Sequence, residues 1–94
     1  MLIEAPYKNG DTITIKTLTE EIVARLVEET DKTVKVNKPM AIMATQQGIG
    51  LGPFAFTLKA DADVVLNKSV ILMIAKTEKE MASQYVQNTT GIAI

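Results

Sequence analysis

The chain has 94 residues, 47% hydrophobic and 22% charged, with three Pro and five Gly, a composition that excludes a disordered tail, a collagen and a multidomain enzyme. It contains neither Cys nor His. Disulfides, thiolate nucleophiles, Cys- or His-ligated metals and imidazole triads are therefore excluded, and only carboxylate, lysine, tyrosine or hydroxyl chemistry remains for an enzyme. Ten Lys+Arg against eleven Asp+Glu give a net charge of -1, so no global basic field points to nucleic acid or an anionic membrane, and any polyanion must be held by local clusters.

The length allows one small domain spanning residues 1–94. A domain of this size buries about 60 to 70% of its unfolded surface, so association between copies is an expectation. Residues 1–6 lack the basic flank and apolar core of a signal peptide, and the longest apolar run, residues 70–75, is too short to span a bilayer. A soluble cytoplasmic protein without a membrane partner is expected. The glycosylation patterns at Asn67-Lys68-Ser69 and Asn88-Thr89-Thr90 then have no chemical meaning.

Asn9-Gly10-Asp11 is turn chemistry, and Thr12-Ile13-Thr14-Ile15-Lys16 alternates polar with β-branched apolar residues, which predicts a first strand. Residues 21–29 fit two periods. Ile22, Ala24 and Leu26 alternate as in a strand, whereas Ile22, Val23, Leu26 and Val27 form a helical stripe, and Thr17 with Glu20 reads as a capping box. Thr33-Val34-Lys35-Val36-Asn37 alternates again, and Pro39 permits an edge, a bulge or a break before Met40-Ala41-Ile42-Met43-Ala44. A bent third strand is predicted.

Residues 46–53 carry three alternating glycines and read as a long loop, followed by a fourth strand at Phe54-Ala55-Phe56-Thr57-Leu58 with both phenylalanines on one face in the core. Lys59-Ala60-Asp61-Ala62-Asp63 reads as a solvated acidic turn. Val64-Val65-Leu66 and Val70-Ile71-Leu72-Met73-Ile74 are short strands around a tight turn or bent corner at Asn67-Lys68-Ser69. Thr77 with Glu80 opens a closing helix whose apolar stripe is Met81, Ala82, Tyr85 and Val86. The apolar tail Gly91-Ile92-Ala93-Ile94 is expected along a sheet edge or a neighbouring subunit.

Few residue groups carry chemistry. Gly48-Ile49-Gly50-Leu51-Gly52 suggests a phosphate loop, but Pro53 stands where a dinucleotide fingerprint needs glycine and no Gly-Lys-Ser/Thr follows, so a structural turn is the reading. Asp61 and Asp63 lack the glycine and bidentate glutamate of a calcium loop, and Glu20-Glu21 and Glu28-Glu29 are surface charges rather than acid–base pairs. Phe54 and Phe56, or Tyr7 and Tyr85, offer faces for stacking bases, against which stands a core role. Lys32 and Lys68 both sit in predicted turns. Should these converge, Asp31, Thr33, Asn67 and Ser69 would add hydrogen bonds beside two cationic phosphate partners.

Residues 12–29, Thr30-Asp31-Lys32-Thr33-Val34-Lys35-Val36 and residues 64–74 together resemble the strands and two loop motifs of Sm-like proteins. The whole chain, including residues 46–54 and 77–85, resembles a group of Sm-like proteins from marine metagenomes ascribed to cyanophages. The resemblance resolves residues 21–29 towards strand. It implies a mainly β fold, a strongly bent five-stranded antiparallel Sm-like barrel or sheet with a C-terminal helix, whose copies join edge to edge into a homo-oligomeric ring. It also implies single-stranded RNA, or DNA, bound near the pore by the two loops through Lys32, Thr33, Asn67, Lys68, Ser69 and Asp31. Here Glu29 and Thr33 hold the polar positions of the first loop with no aromatic between them, and Asn67-Lys68-Ser69 keeps a cation without the family's glycine. Phosphate contact is thus favoured over base stacking.

The expected function is a non-enzymatic, cofactor-free ring that binds single-stranded nucleic acid in RNA processing or riboregulation. The alternative is a structural or protein-interaction ring of phage origin, making its contacts through residues 92–94 or 48–52. A small enzyme would need a deep pocket holding Lys38 or Glu29 with a perturbed pKa.

Overall fold

The computed structural model describes residues 7–59 and 61–89. The alternating segments of the first half pair as neighbours in one antiparallel sheet. β1 (Thr12–Thr17) turns into β2 (Glu21–Glu29), and β2 pairs with the long β3 (Thr33–Thr45). β4 (Gly48–Pro53) returns along the second half of β3, β5 (Asp63–Asn67) lies along its first half, and β6 (Ile71–Lys76) pairs with β1. The path is β4-β3-β2-β1-β6 with β5 branching from β3, six strands where five were expected, and among the described residues the sheet does not close. A helix, α1 (Lys79–Thr89), follows the last strand and packs over β2.

The mainly β architecture with a C-terminal helix is thus what the chain forms. Strand wins over helix at residues 21–29 because β2 is central: Ile22, Ala24 and Leu26 enter the core while Val23 is buried on the opposite side. The Thr17–Glu20 signal is genuine but serves a different turn. Thr17 Oγ1 accepts from the Thr19 and Glu20 amides at 3.3 and 3.1 Å and closes the β1–β2 hairpin instead of opening a helix.

Ile13, Ile15, Ile22, Ala24, Leu26, Val34 and Val36 form the core, each essentially inaccessible to solvent. Burying each of the larger side chains is worth about 1.5–3 kcal/mol relative to exposure. β3 bends where the sequence placed a break. Lys38, just before Pro39, has φ +54°, and the bend lets one strand pair with β5 before it and β4 after it.

The kink keeps its polar groups satisfied. Lys38 N–H donates to the Ala62 carbonyl at 3.1 Å, and the Asn37 amide donates to Asp61 O at 2.9 Å and Asp63 Oδ1 at 2.7 Å. The Tyr85 hydroxyl from α1 is shared between the carbonyls of Asn37 and Lys38, at 3.1 and 2.7 Å. Tyr85 therefore docks the helix and seals the bend together.

Residues 48–52 and 54–58 exchange the roles expected of them. The glycine-rich segment is strand β4, and the Phe54–Leu58 stretch is bend and turn. The alternation Gly-Ile-Gly-Leu-Gly has the strand period, and β3 supplies a partner in register from Met40↔Pro53 to Thr45↔Gly48. Gly52 serves close approach, since a Cβ there would meet the Met43 side chain. Pro53 is tolerated because β4 is an edge. Phe54 packs against the core as expected, whereas Phe56 is 87% exposed.

The helix opens one residue later than the Thr77 capping box predicts. The Glu78 carboxylate accepts from the Glu80 and Met81 amides at 3.1 and 2.7 Å, while the Thr77 hydroxyl is buried in a 2.9 Å hydrogen bond with Thr14. Of the helical stripe, Tyr85 is buried, Met81 and Ala82 are half-buried, and Val86 is exposed. The expectations for residues 1–6 and 91–94 lie outside the described residues. No described helix is long and apolar enough to cross a membrane.

Candidate nucleic-acid interface

The two turns singled out in the sequence are neighbours. β5 pairs with the first half of β3 from Thr33↔Asn67 onwards, so the β2–β3 turn and the corner after β5 lie at the same end of the sheet. Lys68 N–H donates to the Lys32 carbonyl at 2.9 Å, a direct backbone link between them.

Each turn is organised by a short polar side chain. Thr30 Oγ1 accepts from the amides of Lys32 and Thr33 at 3.2 and 3.0 Å and shares a 2.8 Å hydrogen bond with the Thr33 hydroxyl. Across the gap, Asn67 Oδ1 accepts from the Ser69 amide at 2.9 Å and opens a single 3-10 turn over Lys68–Val70. The Thr33 hydroxyl and the Asn67 carbonyl oxygen are thus used inside their own turns. Asp31, Lys32 and Ser69 are exposed.

Lys68 has a partner that the sequence did not reveal. Its Nζ lies 2.7 Å from Glu29 Oε2, with 31% of the Lys68 and 27% of the Glu29 side chain exposed. The Tyr7 hydroxyl donates to the other carboxylate oxygen, Oε1, at 3.0 Å. Glu29, expected as a surface charge, therefore bridges a phenol and an ammonium. Burial, the hydrogen bond to Glu29 and the negative charge of that carboxylate, in this order, raise the Tyr7 pKa above its ordinary 10.0. Nothing in the sequence signals the triad, because Tyr7 and Glu29 are 22 residues apart and meet only once the sheet has formed.

The resulting surface is mixed in charge. Lys32 and Lys68 are set against Asp31 and Glu29, and Lys68–Glu29 is the one ion pair among the described residues. A phosphate reaching Lys68 must compete with Glu29, whereas Lys32 stands in solvent at the tip of its turn. The arrangement can offer ammonium, hydroxyl and amide donors to an anion. Among the described residues no group of three or more His, Cys, Asp or Glu is placed to hold a metal ion.

No protein-family model matches the chain, and no curated protein matches it significantly.

Proposed function

We propose that the protein is a ring-forming, Sm-like binder of single-stranded nucleic acid, RNA in the first instance, and that the joined turns of residues 30–33 and 67–69 form its binding surface. The observation that carries this reading is the Lys68 N–H to Lys32 carbonyl hydrogen bond, which holds two lysines of distant sequence at one end of the sheet. Repetition around a ring multiplies weak contacts by avidity, so a subunit of net charge -1 can still hold a polyanion.

Self-association is supported by the open edges. Among the described residues no strand pairs with the outer side of β5 or of β6, and these strands expose Val65 at 59% and Leu72 at 62%, with Met73 beside the latter. Two different open edges on one bent sheet suit a head-to-tail contact, which closes into a ring when the rotation permits.

The test is fluorescence anisotropy with labelled U-rich and A-rich RNA and matching single-stranded DNA, at low and near-physiological salt. Saturable, salt-sensitive binding that Lys68→Ala weakens for all sequences alike is the expected result. Flat traces at high protein concentration would refute nucleic-acid binding. The 2.7 Å Lys68–Glu29 pair favours a second reading, a structural or protein-interaction ring, because it withholds one of the two cations from phosphate.

A further inference from the structure

Residues 39–58 contain no Asp, Glu, Lys or Arg, and the residues that bracket this stretch, Lys38 and Lys59, are both cationic. The fold brings the two brackets together. The β3 kink, the turn after β4 and the end of α1 enclose a groove of about 580 Å³ that has both lysines in its lining. This is within the size range of sites that take small organic groups.

Phe54 packs against the core and anchors the turn, while Phe56, two residues on, keeps 87% of its surface in solvent beside Leu58. Lys38 Nζ donates to the Thr89 carbonyl at 3.1 Å, which steadies the ammonium and uses one of its three protons. Lys59 is exposed. Asp61 also lines the groove, so its lining residues carry two positive charges and one negative. An exposed aromatic face flanked by cations is what sequence-tolerant recognition of single strands requires, because every base has a face to stack and every linkage a phosphate.

We propose that this groove is a second contact for single-stranded nucleic acid, with a base stacked on Phe56 and the adjoining phosphates met by Lys38 and Lys59. The inference rests on the nucleic-acid reading above and adds to it a stacking element that the residue 30–33 turn lacks. The two contacts are separate. Lys32 precedes β3 and Lys38 stands at its kink six residues on, which is about 20 Å along an extended strand.

The chain has no Trp, so Phe56→Trp introduces a sole indole at the stacking position. Titration with a short oligouridylate should quench its emission saturably, with a midpoint matching the anisotropy curve, while an abasic strand of the same length should leave it unquenched. Phe56→Ala, at an exposed position, should keep the circular-dichroism spectrum and weaken binding about tenfold. Anisotropy that reports binding while the indole stays silent would overturn this inference and leave the first contact standing. Flat anisotropy would remove both. Equal quenching by the abasic strand would refute base stacking, and an indole signal that follows protein dilution instead of oligonucleotide would assign the groove to contact between copies.

Discussion

Glu29→Gln isolates the electrostatic question at the interface. Glu29 is a competitor for Lys68, held at 2.7 Å and largely shielded, and a partly covered pair of this kind is worth about 1 kcal/mol. A phosphate that takes Lys68 must displace that interaction and then sit beside the carboxylate. Neutralising Glu29 with an isosteric amide should therefore tighten nucleic-acid binding by about 1 kcal/mol per engaged copy, roughly fivefold. It should also steepen the salt dependence, by about 0.7 in log–log slope for each phosphate newly paired with a single strand. The assay is anisotropy across a salt series, with Lys68→Ala as the reciprocal variant. Tyr7 supplies an internal check, since two of the three causes raising its pKa come from Glu29. Its tyrosinate absorbance should titrate closer to 10.0 in the variant. An unchanged affinity and slope, with the Tyr7 titration shifted to prove the charge was removed, would refute the competition.

Further outcomes follow from other parts of the fold. Burial raises the Tyr85 pKa to about 12, outweighing the opposing effects of Arg25 and Thr89. Because the folded phenol holds its proton more tightly than the unfolded one, this stabilisation is complete below about pH 10 and lost as pH rises towards 12. The loss is about 2 to 3 kcal/mol in alkaline denaturant titrations. Tyr85→Phe should remove this contribution, leaving that of Tyr7, and cost about 1–3 kcal/mol at neutral pH by leaving the kink carbonyls without their donor; a variant as stable as the parent would show that the hydroxyl does not seal the bend. Leu72→Glu on the β6 edge should turn the proposed ring into monomers in light scattering with the spectrum of the sheet intact, and an oligomer unaltered by the substitution would remove β6 from the proposed contact. Gly48 has φ +121° with open space around its Cβ position, so Gly48→Ala should lower stability by about 1 kcal/mol through backbone strain alone. A neutral effect on the melting temperature would place that strain elsewhere.

The local sequence determined those parts of the fold whose signal is short in range. The alternation of Ile13 and Ile15, and of Val34 and Val36, marks the inward face of β1 and β3, and Pro39 marks the break. The stripe ending at Tyr85 and Val86 marks the helix. At the candidate interface the residue types and their places in two turns were legible, because hydroxyl and carboxamide side chains organise turns locally, as Thr30 and Asn67 do. Tertiary structure decided where two local readings were equally good. Strand prevailed at residues 21–29 because β1 and β3 offered ladders on both sides, and residues 54–58 form no strand because β3 is paired with Gly48–Pro53 along its second half and with β5 along its first. Phe56 has the same neighbours in sequence whether buried or exposed; its burial depended on a partner strand that does not exist there. The Tyr7–Glu29–Lys68 bridge was decided in the same way. Charges become partners by distance in space, and the distances between residues 7, 29 and 68 are set only when the sheet has folded around its core.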